Sequence, residues 1–164
     1  MKFIYTSLLL CLFSIGLFGQ NYTRDAGIRF GNGLVGTYRQ FYKEDKAVEL
    51  FAGYTNNGMK FGGIRENFIP ALTQYSENFR FCYGYGVHTG FTYTNKHSVL
   101  YREYRYDWFF SPLFGMNGLA GLEYTFPEVP ILVSLEINPY FEFSLNRIFF
   151  MQMLDVSFSL KYRF

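Results

Sequence analysis

The sequence carries little charge for its length. Asp, Glu, Lys and Arg make up 17% of the 164 residues, whereas a soluble domain usually carries about 25%. The net charge is only +2 at neutral pH. Because phosphate binding requires a concentrated basic surface, this balance predicts that nucleic acid is not a partner.

Long apolar runs are also scarce, and the one clear example lies near the start. Residues 4–18 are almost entirely apolar and follow the positive Lys2. The run is shorter than the roughly 20 residues of a membrane helix, and Gly19 supplies a small residue for cleavage. These features predict a cleaved signal peptide over residues 1–19 and an exported mature domain over residues 20–164.

Cysteine is rarer still, with two in the whole chain. Signal cleavage would remove Cys11 and leave Cys82 alone, so the mature fold must hold without an internal disulfide. Cys82 and His88 together supply two metal ligands, which is short of a tetrahedral set. We therefore expect no metal and no cofactor.

Aromatic residues, in contrast, are abundant at 23% of the chain, and many of them alternate with polar residues. The last segment shows the alternation best. One face carries the even positions Leu154, Val156, Phe158, Leu160, Tyr162 and Phe164, and the other carries Asp155, Ser157, Ser159, Lys161 and Arg163. A period of two over this length is typical of a tilted strand that crosses a bilayer in about 9–11 residues.

The same alternation recurs within residues 48–54, 78–94, 120–126 and 131–138. Compact turns are predicted at residues 43–46, 55–58 and 127–130, and longer links at about 70–77 and 95–111. A strand near residues 59–68 alternates poorly, and its Gly62-Gly63 pair indicates a bulge. A near-zero mean hydropathy agrees with alternating faces and argues against a bundle of membrane helices.

The number of strands depends on how residues 22–42 are divided. Kept whole, this segment gives seven strands, and Ile28, Phe30, Leu34 and Tyr38 indeed hold one phase along it. Divided at Asn32-Gly33, a strong hairpin signal, it gives eight. An even number allows closure without free sheet edges. We therefore predict an all-β fold, a small closed antiparallel up-and-down transmembrane β-barrel of eight strands.

Several segments resemble a family of small outer-membrane β-barrel proteins from Bacteroidota. The resemblance is carried by residues 81–91 and 118–126, followed by Pro130 and residues 134–136. It extends over about residues 26–164 and departs at 137–139, where an aromatic and a basic residue would be expected before the proline. The family is largely uncharacterised, so the resemblance implies a fold and an outer-membrane location and no catalytic residues.

An eight-stranded barrel has an interior that its own side chains fill. The alternation places a set of titratable residues on the inward face: Glu49, Arg80, His88, Glu123, Glu136, Asp155 and Lys161. Arg29 is a further candidate for this set. Because an unpaired buried charge costs several kcal/mol, we expect these groups to form a paired charge network in the lumen. A polar pathway or a catalytic cluster is the alternative.

Catalysis would require a nucleophile and a base within hydrogen-bond reach. His88 is the inward histidine, and Ser134, Ser157, Ser159 and Glu136 are its candidate neighbours. No nucleophile motif surrounds any of these serines. We therefore expect no enzyme activity.

The segment around residues 95–111 is the most distinctive part of the sequence. It interleaves aromatics with arginines in Tyr101, Arg102, Tyr104, Arg105, Tyr106 and Trp108. Such a loop could stack on a surface glycan or contact a partner protein. The interfacial aromatic girdle of a membrane barrel explains these aromatics without a ligand, and Glu103 and Asp107 dilute the basic character, so we favour the girdle interpretation.

Three functions remain open from the sequence. The first is a structural or interaction barrel in the outer membrane of a Gram-negative bacterium, with no wide pore and with lipid and the barrel-assembly machinery as partners. In this case Phe164, which ends the last strand, would act as an assembly signal. The second is a surface binding module that uses the segment at 95–111. The third is a soluble periplasmic ligand-binding barrel, whose apolar face would point inward.

Overall fold

The computed structural model describes the chain over residues 23–55, 58–99, 102–144 and 149–164. The signal peptide predicted at 1–19 lies outside this part. Ten strands form over the described residues: β1 Arg24–Phe30, β2 Gly33–Lys43, β3 Lys46–Thr55, β4 Gly58–Pro70, β5 Phe79–Val99, β6 Arg102–Thr125, β7 Ile131–Ile137, β8 Tyr140–Ser144, β9 Phe150–Gln152 and β10 Val156–Arg163.

Eight of these strands close into a ring. Each of β1 to β6 pairs antiparallel with the next, β6 pairs with β7, and β7 pairs with β10. The ring closes where β10 returns to β1, from Asp25 opposite Arg163 to Phe30 opposite Phe158. The predicted all-β, closed, antiparallel up-and-down barrel of eight strands is therefore confirmed, with β8 and β9 lying outside the ring.

The turn between β1 and β2 explains why the strand count was ambiguous. Phe30 pairs with Leu34, so three residues make the turn and the two partners point to the same side of the sheet. The outward phase therefore continues through the turn. Gly33 is required here, because a Cβ atom would lie 2.1 Å from the backbone oxygen of Tyr54.

The bulge expected at Gly62-Gly63 is absent. β4 pairs with β3 without a register shift from Lys46 opposite Asn67 to Thr55 opposite Gly58, and its pairing with β5 is also continuous. β4 alternates poorly for another reason. Its inward face mixes apolar Ile64 and Phe68 with charged residues, so the polarity contrast between the two faces is weak.

The two ends of the barrel differ in their connections. We call the end where the backbones of Arg24 and Phe164 are hydrogen-bonded the lower end. At the upper end, the stretch of β5 beyond Phe91 pairs only with β6, as a two-stranded ribbon that extends above the ring. β8 and β9 also lie at this end, where β8 pairs with β6 above the contact between β6 and β7.

Pro139 separates β7 from β8 in the chain, so the two strands follow the same neighbour, β6, with a break between them. The described residues include no helix that is long and apolar enough to cross a membrane.

Candidate functional site

Side-chain polarity in the ring is distributed with charge inside and apolar groups outside. Inward-facing charged side chains are almost fully buried: Asp25, Arg29, Arg39, Glu49, Lys60, Glu66, Glu123, Glu136, Glu142 and Lys161. Outward positions on the same strands carry exposed apolar side chains, among them Ile28, Leu50, Phe61, Tyr85, Val87, Leu135, Phe158 and Leu160. The interior of the barrel is therefore where polar chemistry is concentrated.

The lower interior is organised around Arg39 of β2, whose side chain is only 1% exposed. Its Nε donates to both carboxylate oxygens of Asp25 at 2.9 and 3.0 Å, and its Nη1 donates to Glu66 and Glu123 at 3.0 Å each. Arg80 donates to the other oxygen of Glu123 at 2.5 Å. This lower cluster ties β1, β2, β4, β5 and β6 together across the lumen.

Two aromatic rings support the lower cluster. The guanidinium of Arg39 lies 5.2 Å from the ring centre of Phe41 and 4.9 Å from that of Phe68, and Arg80 lies over the same two rings. Cation–π contacts gain strength where water is excluded. The aromatic rings therefore help to hold the buried Arg39 close to the partly exposed Arg80, which carries a like charge.

A middle cluster lies next to it and centres on two carboxylates. Arg29 donates to Glu49 at 2.6 Å and to Glu136 at 2.7 Å, and Lys161 donates to Glu49 at 2.5 Å. The remaining oxygen of Glu136 accepts hydrogen bonds from the hydroxyls of Ser134 and Ser159 at 2.6 and 3.1 Å. These interactions connect β3, β7, β10 and β1 across the interior of the ring.

An upper cluster consists of Lys60, Glu142 and His88. Lys60 forms an ion pair with Glu142, and Nε2 of His88 lies 3.2 Å from the same carboxylate oxygen. Nδ1 of His88 lies 3.3 Å from Oδ1 of Asn117. Lys60 Nζ also lies 4.1 Å from the ring centre of Tyr140. Glu142 and Tyr140 belong to β8, so the cluster attaches this outer strand to the ring.

A cavity of about 80 Å³ lies between the middle and upper clusters. Its walls include Arg29 from the middle cluster, Lys60 and His88 from the upper cluster, and Asn32 and Asp155 from the connections at the upper end. Asp155 lies in the link between β9 and β10, and burial raises the pKa of its carboxyl group.

The structure brings most of the predicted charged residues together in these clusters. Arg80 and Glu123 meet in the lower cluster, Glu49, Glu136 and Lys161 meet with Arg29 in the middle cluster, and His88 belongs to the upper cluster. Asp155 is the exception, because it is half-buried in the cavity wall and joins none of the three clusters.

Five inward charges among the described residues were not predicted from the sequence: Asp25, Arg39, Lys60, Glu66 and Glu142. Asp25 and Arg39 belong to the segment whose turn was uncertain, and Lys60 and Glu66 belong to poorly alternating β4. The available signal was a charged residue at every second position among aromatic and aliphatic neighbours. In β4, Phe61 and Ile69 mark the outward face. The residues at the alternate positions of the strand, Lys60 and Glu66 included, would then have been predicted to face inward.

The candidate catalytic serines do not meet His88. Ser134 and Ser159 both donate to Glu136 in the middle cluster, whereas His88 contacts Glu142 and Asn117 in the upper cluster. Ser157 accepts a hydrogen bond from Nδ2 of Asn138 at 2.7 Å. Among the described residues, no group of three or more metal-ligating side chains is placed to hold an ion.

The segment expected as a loop at 95–111 instead continues β5 and β6. Lys96 pairs with Arg105 and Val99 with Arg102, with one register shift between Thr94 and Lys96. Of the candidate binding residues, Tyr101 lies outside the described residues. Arg102, Tyr104, Arg105, Tyr106 and Trp108 lie on β6. The described members of the proposed binding set therefore lie in a two-stranded ribbon and not in a loop.

Phe164 lies at the lower end, next to the ring closure. Its backbone N–H donates to the carbonyl oxygen of Arg24 at 2.9 Å, and its ring stacks on Tyr162 with centroids 6.3 Å apart. Phe164 as a whole residue is 46% exposed.

No protein-family model matches the chain, and neither a curated protein nor a solved structure matches it. The likeness to the Bacteroidota barrel family therefore stays a prediction.

Proposed function

We propose that the protein is an integral barrel of a bacterial outer membrane, exported by the segment at 1–19, with a structural or interaction role and no wide pore. The observation that carries this proposal is the distribution of polarity, with paired charges inside a closed ring and apolar side chains outside. In a bilayer, a closed ring pairs its backbone groups between neighbouring strands and presents an apolar band to lipid.

The extent of the outer apolar surface supports this proposal. Exposed aromatic and aliphatic side chains occur on every strand of the ring, with Leu50 at 56%, Tyr85 at 61%, Leu135 at 61% and Val156 at 54% exposure. A soluble monomer rarely exposes a contiguous apolar patch larger than a few hundred Å². A surface of this kind requires lipid or another apolar cover.

The polarity of the interior disfavours the soluble ligand-binding barrel. Such a barrel would bury its apolar face around a ligand and expose its polar face to water. Here the lower and middle interior are filled by ion pairs around Arg39 and Arg29, and the apolar core cluster is limited to a few residues near Ile64 and Phe68.

Two observations favour a closed interior over an open channel. The middle cluster spans the lumen from Arg29 and Lys161 to Glu49 and Glu136. An eight-stranded ring also leaves an interior only wide enough for side chains. Solute passage would require several buried ion pairs to separate at once.

A surface binding role is a second candidate, and the ribbon formed by β5 and β6 favours it. From Thr92 to Val99, β5 continues above the ring and pairs only with β6. Eight residues of strand extend by roughly 25 Å. In the proposed orientation the upper end, which carries the longest excursions of the chain, faces away from the periplasm, so this ribbon would project from the cell surface.

Membrane fractionation tests the main proposal. Expressed with its leader in a Gram-negative host, the protein should sediment with outer membranes and stay in the pellet after carbonate extraction. A periplasmic maltose-binding-type protein serves as the soluble control. Recovery of folded protein in the soluble periplasmic fraction would contradict a membrane location.

Planar-bilayer recording tests the closed interior. The purified, refolded barrel should give no steady conductance of porin size, since its lumen is filled by paired side chains. Stable open channels of that size would show that the lumen is open, and they would leave the proposed membrane location unaffected.

A further inference from the structure

We propose that the cavity at the upper end of the lumen is a binding site for a neutral, hydroxyl-rich ligand of about the size of one sugar unit. The cavity is bounded below by Arg29 of the middle cluster and flanked by Lys60 and His88 of the upper cluster. The turn residues Gly31 and Asn32 form part of its wall near the upper connections. A ligand would therefore enter from the upper end.

The side-chain amide of Asn138, in the wall of the cavity, has a hydrogen-bonding atom that a ligand could satisfy. Asn138 is only 8% exposed, and its Nδ2 donates to the hydroxyl of Ser157 at 2.7 Å. Its buried Oδ1 has no hydrogen-bond partner among the described residues. Exchanging the two amide atoms would leave Nδ2 without a partner instead. A buried polar atom left unbonded costs free energy, so a group that bonds this amide should be favoured in the cavity.

The charges around the cavity argue for a neutral ligand. Arg29 is paired with Glu49 and Glu136, and Lys60 is paired with Glu142. Both cations thus already have carboxylate partners and need no anionic ligand, and the carboxyl of Asp155 also lies in the wall. An anionic ligand would compete with buried carboxylates for these cations, and a cationic ligand would face both Arg29 and Lys60.

The size and lining of the cavity fit part of a sugar. A volume of about 80 Å³ corresponds to roughly five to eight water positions, comparable with the hydroxyl groups of one sugar ring. The wall offers both hydrogen-bond donors and acceptors, and it includes the aromatic side chains of Phe51 and Tyr140. Apolar walls with a few placed polar groups are typical of small-molecule sites.

The proposal is tested by titrating sugars into the full chain. The chain is refolded in a phosphocholine detergent that contains no sugar. The probes are glucose, galactose and mannose, with glucuronate and glucosamine as charged counterparts, and the readout is the side-chain amide signal of Asn138 by NMR. At least one neutral hexose should shift this signal saturably and bind at least tenfold, or about 1.4 kcal/mol, more tightly than the charged sugars. No saturable shift with any neutral hexose, or equal binding of a charged counterpart, would overturn the proposal.

Matched variants locate the binding. Val35 lines the cavity from β2, whereas its neighbour Leu34 is 54% exposed on the outer face. Val35→Phe should fill the cavity and weaken binding at least tenfold, and Leu34→Phe should leave it unchanged. Val35→Met is the smaller substitution to use where phenylalanine prevents folding. Unchanged affinity in a folded Val35 variant would place binding elsewhere and sink the proposal.

Methyl glycosides distinguish the two sources of such a ligand. Binding of the methyl glycoside as tightly as the free hexose supports recognition of the terminal unit of a glycan. Binding of the free hexose alone supports a free sugar. These titrations require only the folded ring, so they fail independently of the membrane fractionation.

Discussion

Leu135 and Glu136 are neighbours in β7, yet they occupy opposite environments. Leu135 is 61% exposed on the outside of the ring, whereas Glu136 is 2% exposed and accepts hydrogen bonds from Arg29, Ser134 and Ser159. The contrast recurs around the ring and shows that the two faces of each strand are held by different forces. The inner face depends on charge pairing in low dielectric, and the outer face depends on what surrounds the barrel.

The largest expected effect comes from reversing an inner charge. Glu136→Lys would place a third cation beside Arg29 and Lys161 and would remove the acceptor of two serine hydroxyls. Because removing one partner of a buried pair already costs about 3–5 kcal/mol, we expect this variant not to refold in detergent. The measurement is the refolded fraction, read from the heat-dependent shift in electrophoretic mobility.

Glu128→Lys is the matched control, since Glu128 is exposed in the link between β6 and β7. It should refold like the parent chain, because exposed substitutions usually change stability by no more than about 0.5 kcal/mol. Equal refolding of the Glu136 and Glu128 variants would contradict the buried middle cluster.

Replacing one cation in each cluster compares how much the lower and upper clusters contribute to the free energy of unfolding. Arg39→Met leaves three buried carboxylates short of a partner, so it should lower the free energy of unfolding by about 3–5 kcal/mol. Lys60→Met should cost no more than about half as much, because His88 still contacts Glu142. Urea unfolding in detergent measures both values. A larger loss for Lys60→Met would show that the upper cluster, and not the lower one, holds the ring together.

Placing a charge on the outer face should give a smaller effect that depends on depth. Leu135→Arg lies in the middle of a strand and should cost about 2–4 kcal/mol in a bilayer. Val129→Arg lies in an exposed link at the lower end and should cost about 0–1 kcal/mol. Equilibrium unfolding in liposomes compares the two. Equal small costs would indicate that the outer face meets water.

The sequence predicts the fold better than it predicts the interior contacts. Strand alternation and the Asn32-Gly33 turn lead to eight strands, although a three-residue turn hides the change of strand by keeping Phe30 and Leu34 in phase. β8 and β9 were not predicted. Pro139 interrupts the strand that runs alongside β6, and the two segments that follow are too short for a clear alternation in the sequence.

The charge partners could be predicted only in part. In cleanly alternating strands, the inward residues Glu123, Glu136 and Lys161 follow from the phase alone. The bond from Arg39 to Glu123, however, joins residues 84 positions apart. Such a contact depends on how the whole ring closes and on the stagger of its strands, which no local pattern in the sequence contains.

Fluorescence quenching by lipid shows directly which solvent the outer face of the barrel meets. In a Trp108→Phe background, which removes the single tryptophan of the chain, one new tryptophan replaces either Leu135 or Tyr75. Both positions are exposed, at 61% and 77%, but Tyr75 lies in the link between β4 and β5, outside the strands. In liposomes whose lipids carry bromine deep in the acyl chains, an outer face that contacts lipid should give strong fluorescence quenching for Leu135→Trp and little for Tyr75→Trp. Equally weak quenching at both positions would contradict it.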